Sequence, residues 1–217
     1  MAESSAVGTA GGFFAFPYRI FTGNEARDEQ RNRKILDSLA GLPNLFPVIT
    51  SIDERRVTVA QYLTDPSNVA WEIWRGGELC GIFLLTRITV GVDALCHLAL
   101  FDRALWNKRT LIRNMMGVVF RDFKLQRLSA EIPEHLDPLI RFARTKLGFQ
   151  YEGEQQAAQH PVTGKITARG VNNAPKWMAH WGSRHERMHY DGTTYHDVVL
   201  LRLLREEYDA MEGIRAG

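Results

Sequence analysis

Apolar and polar positions follow a helical period along the first part of the chain. Residues 24–42 carry apolar side chains at helical spacing between Asn24, a residue suited to capping a helix, and Gly41, a common helix stop. Residues 53–65 are typical of a second, shorter helix that ends before Pro66. Both segments are therefore predicted to be helices.

The middle of the chain changes to the period of a β-strand. Residues 69–73 alternate between apolar and other side chains, residues 76–77 are a Gly-Gly turn signal, and residues 79–88 are a largely apolar run. A turn signal between two extended runs predicts a β-hairpin. Residues 92–101 and 126–132 predict two further strands.

Helical and extended patterns continue toward the C-terminal end. Residues 111–123 place apolar side chains on one face of a helix. A second helix is predicted between Asp137, as its N-cap, and Gly148, as its stop. Residues 184–204 indicate a hairpin around an Asp-Gly turn, and residues 205–211 a short final helix.

Two segments lack this periodicity. Residues 1–16 are rich in Ala, Ser and Gly and end in aromatic side chains, which predicts a flexible N-terminal arm. Residues 154–183 predict an irregular insertion, and such long insertions serve as substrate lids, as contact surfaces or, less often, as plain surface flaps. We expect a protein partner to bind through the arm and the insertion, and residues 17–217 to form one domain.

Charge and composition narrow the classes of protein. A net charge of +2 does not indicate a nucleic-acid partner, because nucleic-acid binders carry a stronger and clustered basic excess. No apolar run approaches the length of about 18 residues that a membrane helix needs, and no signal peptide is apparent, so a cytoplasmic location is expected. Cys80 and Cys96 lie in apolar runs and are predicted to be reduced, buried thiols. His185 and His189 lack a Cys or acidic partner, so no metal site is predicted.

Three motifs, in this order, carry a family resemblance. They are "RLSAEIP" at residues 127–133, "KLGFQYEG" at residues 146–153 and "DGTTYHDVVL" at residues 191–200. Together they resemble the GNAT superfamily of acetyl-CoA-dependent N-acetyltransferases, closest to the branch that acetylates protein N-termini and to related proteins encoded by bacteriophages. The resemblance covers about residues 16–208, except the insertion.

The resemblance implies a fold and a place for acetyl-CoA. The expected GNAT fold belongs to the α/β class and has a mixed sheet of the α+β type. Its central twisted β-sheet is flanked by helices and is splayed between the strands near 92–101 and 126–132. The pantetheine arm of the cofactor would bond to main-chain groups near Ala99, Leu100 and Phe101. Its pyrophosphate would lie on the following loop and helix N-terminus, at Asn107, Lys108, Arg109, Thr110 and Leu111.

The chain departs from the family pattern at two positions. The family's pyrophosphate loop reads Arg/Gln-x-x-Gly-x-Gly/Ala, and those positions hold Trp106, Arg109 and Leu111 here. Lys108 and Arg109 either attract phosphate through their side chains or form a solvated basic turn. The tyrosine that protonates the departing thiolate in many family members is replaced by Arg144, or by Ala143 if the register slips by one, and neither residue gives up a proton at neutral pH.

Acyl transfer to an amine also needs a general base. Glu131 is one candidate, because it points away from Ala130 and Ile132 and is suited to a polar cleft wall, although an ordinary solvent-facing residue has the same pattern. His97 is the other main candidate and faces either the cleft or a helix, and Glu134, close to the second central strand, is a further candidate.

Two functions follow from the resemblance and its departures. The first is acetyl transfer from acetyl-CoA to a protein or small-molecule amine. The alternative is a non-catalytic phage virion or assembly protein that reuses a degenerate GNAT scaffold, located in the host cytoplasm or in the virion. Fold alone does not decide between them.

Overall fold

The helices form where the apolar spacing predicts them. A computed structural model describes residues 7–9, 13–42, 51–101, 109–152, 184–190 and 195–213. Its helices are α1 Glu25–Ala40, α2 Ile52–Thr64, α3 Arg109–Asp122, α4 Asp137–Leu147 and α5 Arg205–Glu212. None of the described helices combines the length and the apolar character that crossing a bilayer requires.

Two helix starts test the predicted caps. The Asn24 side chain accepts a hydrogen bond from the Arg27 N–H at 3.1 Å, which confirms this residue as the N-cap of α1. The predicted cap of α4 is wrong by one residue, because Leu136 occupies the cap and Asp137 is already in the first turn. A carboxylate in the first turn still stabilises the helix by opposing the positive end of its dipole.

One sheet joins every described strand. Its strands are β1 Val7–Thr9, β2 Phe13–Pro17, β3 Val69–Arg75, β4 Glu78–Thr89, β5 Asp93–Leu100, β6 Arg127–Pro133, β7 Gln150–Tyr151, β8 Arg184–Tyr190 and β9 Tyr195–Leu204. They lie in the order β1-β2-β3-β4-β5-β6-β9-β7, and β8 pairs with β9. The two predicted hairpins are confirmed as β3–β4 and β8–β9, although the Asp-Gly turn of the second lies outside the described residues.

Strand β2 corrects the prediction of a flexible arm over residues 1–16. It pairs antiparallel with β3 from Phe13↔Arg75 to Pro17↔Trp71, and Phe13 and Ala15 are fully buried. The prediction is wrong for residues 13–16 because alternate side chains enter the core and the edge of β3 satisfies the main-chain hydrogen bonds.

Helices pack on both faces of the sheet. Helices α3, α4 and α5 cover one face, where they meet Phe83 and Leu85 of β4 and Leu128 of β6. Helices α1 and α2 cover the opposite face, where they meet Ile82 of β4 and Ala99 of β5. Successive strand residues point to opposite faces, so each central strand contributes to both layers of the core.

The two parallel strands at the centre of the sheet diverge. β5 and β6 pair only at Asp93↔Arg127, Ala94↔Leu128 and Leu95↔Ser129. Beyond these pairs β5 stays bonded to β4 as far as Leu100, while β6 stays bonded to β9 as far as Pro133. The predicted splay is therefore confirmed. We call the opening between residues 96–100 of β5 and residues 130–133 of β6 the β5–β6 gap.

Candidate active site

The β5–β6 gap exposes main-chain groups in alternation along β5. The Phe101 N–H donates to the Cys80 carbonyl oxygen at 2.9 Å, on the β4 side. In an antiparallel pair this orientation recurs at every second residue, so Ala99 also turns its main-chain groups toward β4. The main-chain groups of Leu98 and Leu100 consequently point toward the gap. On that side no described strand forms hydrogen bonds with them.

Because of this alternation, only one of the three residues predicted to bond with pantetheine turns its main-chain groups toward the gap. Leu100 keeps its predicted orientation toward the gap, whereas Ala99 and Phe101 bond toward β4. The Ala99 carbonyl oxygen lies 2.5 Å from the position that a Cβ atom on Gly81 would take, so β4 needs glycine there to approach β5. Leu98 was missed at the sequence level, because the alternation depends on which neighbour β5 bonds to.

The first turn of α3 lies after β5 in the chain and contains three of the five residues predicted to contact phosphate. Arg109 and Thr110 are exposed there, and the N–H groups of a first helical turn have no partner within the helix. The Leu111 side chain is only 1% exposed and belongs to the core, so it could meet a ligand through its main chain alone. Asn107 and Lys108, like Trp106, lie outside the described residues.

The two candidate bases lie on one face of the sheet. Ala130 and Ile132 belong to the layer of α3 and α4, so Glu131 between them points to the α1/α2 face. His97 belongs to the same set of β5 positions as Ala99, which packs against α1 and α2. The splay therefore places His97 and Glu131 on opposite sides of the gap but on the same face.

His97 is held by β4 and is neutral at physiological pH. Its Nε2 atom lies 3.0 Å from the Thr86 hydroxyl oxygen. Burial lowers the pKa of His97 below its ordinary value; the nearby carboxylate of Glu131 opposes this shift and the Arg87 guanidinium adds to it. A neutral imidazole has one ring nitrogen that can accept a proton.

Glu131 is held by an ion pair across the sheet. The Arg87 Nη1 atom lies 3.0 Å from Glu131 Oε1. The Arg87 side chain is 71% exposed and that of Glu131 is 29% exposed, so solvent screens the attraction and the pair contributes little to stability. Its value lies in orienting the carboxylate beside the gap.

An apolar pocket adjoins His97 between the helices α1 and α2 and the strands β4 and β5. It has a volume of about 120 Å³ and is lined, besides His97, mainly by Leu39, Val59, Tyr62, Leu63, Leu84 and Leu98. None of its described lining residues is acidic. The pocket can therefore accept an apolar group next to the imidazole.

Arg144, at the position where the family often has a proton-donating tyrosine, packs against an aromatic ring. The Arg144 guanidinium lies over the Tyr151 ring, with its carbon 3.9 Å from the ring centre. Such cation–π stacking ties α4 to β7. The contact was not predicted, and the only sequence signal for it was an aromatic residue shortly after the "LGF" turn.

The thiols and the acidic residues offer no second kind of chemistry in the described part of the chain. Cys80 and Cys96 are free, and burial raises the pKa of the Cys96 thiol to about 12, so it is a poor nucleophile. The described residues contain no group of three or more His, Cys, Asp or Glu side chains that could hold a metal ion.

The geometry defines a known fold. A mixed sheet with two parallel central strands that part, and with a helix following the first of them, is the fold of the GNAT acetyltransferases. No protein-family model and no curated protein matches the sequence.

Solved acetyltransferase structures share this fold over nearly the whole chain. Spermidine N-acetyltransferase from Vibrio cholerae, in complex with CoA and spermine, matches with a TM-score of 0.60 at 13% identity, over 91% of this chain and 98% of its own. RimL, a ribosomal L7/L12 alpha-N-protein acetyltransferase in complex with coenzyme A, matches with a TM-score of 0.60 at 14% identity, over 92% of this chain and 98% of its own. Identities this low show the fold and leave the activity to be argued from the site.

Proposed function

We propose that this protein transfers an acetyl group from acetyl-CoA to an amine, with His97 as the general base. One observation carries the proposal: the splay sets His97 and Glu131 on the same face, on either side of the β5–β6 gap. Two structures with this fold are complexes with CoA, which supports the choice of donor.

The described residues fit such a donor. The outward-turned main-chain groups of Leu98 and Leu100 offer strand-like hydrogen bonds to an extended pantetheine arm. The exposed first turn of α3, with Arg109 and Thr110, offers N–H donors and positive charge to a pyrophosphate. When bound, acetyl-CoA supplies the activated acetyl group.

Two residues beside the gap have different roles in the proposed transfer. His97 takes the proton that the amine nitrogen loses as it forms its bond to the carbonyl carbon, because a neutral imidazole is a competent base near pH 7. The Leu100 N–H, which faces the gap, would donate a hydrogen bond to the carbonyl oxygen of the bound acetyl group. Arg144 has no proton to give at neutral pH, so the sulfur of the released CoA would take its proton from solvent.

The pocket beside His97 favours an amine that carries an apolar group. Its described lining is mostly aliphatic and contains no carboxylate that could pair with a polycation. A polypeptide N-terminus with an apolar first side chain fits this lining better than a polyamine, and this agrees with the resemblance to the branch that acetylates protein N-termini.

Calorimetry and a transfer assay test the proposal together. We expect acetyl-CoA to bind with measurable heat and free CoA thiol to appear faster with a peptide that begins with Leu than with spermidine. Absence of binding at millimolar acetyl-CoA would contradict the proposal. Binding with the reverse preference would keep the transfer and overturn the choice of acceptor.

Two exposed aromatic side chains on β2 favour a second function. Phe14 and Phe16 of β2 stack with ring centres 6.3 Å apart while they are 48% and 42% exposed. Exposed aromatic patches mark contact surfaces. We therefore propose the non-catalytic alternative, a virion or assembly protein built on this scaffold, as the function to pursue if acetyl-CoA does not bind. A Phe14→Ser, Phe16→Ser variant that assembles with its partner as the original chain does would then refute it.

A further inference from the structure

Strand β4 contains a β-bulge next to the candidate active site. It pairs with β5 regularly as far as Thr86↔Leu95 and resumes at Thr89↔Asp93, so two residues of β4 stand opposite one residue of β5. Arg87, the first residue of the bulge, has φ of 50°. Bulges with a left-handed first residue normally have glycine there, because a side chain is strained in that conformation.

The bulge changes where two successive side chains point. Thr86 lies on the α1/α2 face, where its hydroxyl group meets His97 Nε2. In a regular strand Arg87 would point to the opposite face, as Phe83 and Leu85 do. Instead the Arg87 guanidinium meets Glu131, on the same face as His97.

We infer that Thr86 and Arg87 are a pair of positioning residues, brought to one face by the bulge, which orient His97 and Glu131 for acyl transfer. This inference rests on the proposed function. It explains why a strained position holds arginine rather than glycine, since glycine would relieve the strain and lose the contact with Glu131. Strained backbone that persists beside a site is a recognised sign of function.

Thr86 sets which ring nitrogen of His97 carries the proton. A threonine hydroxyl can accept a hydrogen bond from Nε2–H, and this leaves Nδ1 as the ring nitrogen that accepts the proton of the amine. Thr86 is 6% exposed, so water does not readily replace its hydroxyl.

Arg87 acts on the charge balance around the imidazole. Two charged groups act on His97: Glu131 of β6 raises its pKa, and Arg87 of β4 lowers it. From the helices, α2 presents the Tyr62 phenol to the same pocket and α1 presents the apolar Leu39. Burial is the larger influence that lowers the pKa of His97, so removal of Arg87 leaves burial alone to oppose Glu131, and the pKa should rise.

The test compares Arg87→Gly with Arg87→Lys. We expect Arg87→Gly to keep or raise the melting temperature, because glycine adopts φ of 50° without strain, yet to lower kcat/KM about tenfold through misplacement of Glu131. The acidic limb of the pH–rate profile should move to higher pH. Arg87→Lys should keep the position of that limb, because it keeps the charge. An Arg87→Gly variant with unchanged kcat/KM and an unchanged profile would overturn the role of Arg87.

A second measurement is independent of turnover. Histidine NMR should show the His97 titration move to higher pH in Arg87→Gly, and should show the ring tautomer altered in Thr86→Val but kept in Thr86→Ser. If transfer fails while both NMR changes occur, the proposed function is wrong and the positioning contacts stand. If the His97 signals are the same in all variants, the positioning inference is wrong whether or not transfer occurs.

Discussion

Thr86 Oγ1 and His97 Nε2 lie 3.0 Å apart between β4 and β5, so the imidazole beside the gap has a fixed partner before any ligand binds. A preset orientation is what a base needs, since proton transfer depends on geometry as much as on pKa. This makes His97 a stronger candidate base than Glu131, whose carboxylate is already engaged by Arg87.

Replacement of His97 should separate catalysis from binding. We expect His97→Gln to lower kcat by about a hundredfold, the size of a lost general base, and to leave the Kd of acetyl-CoA from calorimetry unchanged. Glu131→Gln is the matched variant and should lower kcat less, because the Glu131 carboxylate is paired with Arg87 and does not accept the proton. The reverse order of the two losses would assign the base to Glu131.

His97 should also make folding stability depend on pH. Its pKa is lowered in the folded state by burial, so the unfolded chain binds the proton more readily. The full stability is present above the ordinary pKa of 6.5 and is lost as pH falls from there through the folded value. The free energy of unfolding should be measured by urea titration at several pH values between 7 and 5. It should fall less steeply with pH in His97→Gln than in the original chain. Equal slopes would show that His97 is not buried as a neutral ring.

The first turn of α3 should contribute to cofactor affinity through charge. Arg109 is exposed at this N-terminal end, and Arg121 is exposed at the other end of the same helix. We expect Arg109→Ala to weaken acetyl-CoA binding several-fold, with the loss shrinking as salt is added, because exposed charges are screened. Arg121→Ala is the matched control and should bind as the original chain does. Equal affinities for both variants would remove Arg109 from the phosphate site.

Gly117 of α3 permits the packing of α5. A Cβ atom there would lie 2.5 Å from the Tyr208 hydroxyl oxygen, which itself lies 3.1 Å from the Arg113 carbonyl oxygen. Gly117→Ala should lower the free energy of unfolding by about 1–3 kcal/mol through overpacking. Chemical denaturation of the double variant Gly117→Ala, Tyr208→Phe should recover part of this loss, because the clashing oxygen is gone. Additive losses would contradict the clash.

Arg31 and Glu72 join α1 to β3 in the interior. The Arg31 Nε atom lies 3.4 Å from Glu72 Oε1, the Trp74 indole N–H donates to Glu72 Oε2 at 2.9 Å, and Glu72 is 3% exposed. Arg31→Met should cost about 3 kcal/mol at pH 7, because it leaves a buried carboxylate without its cation.

The destabilisation by Arg31→Met should depend on pH, and a substitution on the exposed side of α1 provides the control. Burial raises the pKa of Glu72, so the carboxyl group is more readily protonated as pH falls, and the cost of Arg31→Met should shrink toward pH 4. Arg33 pairs with Glu29 on the exposed side of α1, and Arg33→Met should change stability by less than about 0.5 kcal/mol. Similar losses for the two variants would mean that the interior pair is not desolvated.

Local patterns predicted most of the fold. Helical spacing with Asn24 in front located α1, and the Gly-Gly signal located the turn between β3 and β4. These two features depend on short-range rules of capping, turn geometry and period, which a sequence expresses directly. The splay of β5 and β6 was expected only because the family resemblance implied it.

The sequence by itself determined most of the elements and their order, and it nominated His97 and Glu131 as candidate bases, because each follows from residue type and local spacing. Only the tertiary structure decided that Phe13 and Ala15 enter the core, that Phe101 bonds to Cys80 rather than to the gap, and that Thr86 and Arg87 reach the same face. Each of these depends on which strand lies beside which and on a bulge that shifts the register by one residue. Pairing between distant segments is set by the packing of the whole sheet, and a local pattern does not carry that information.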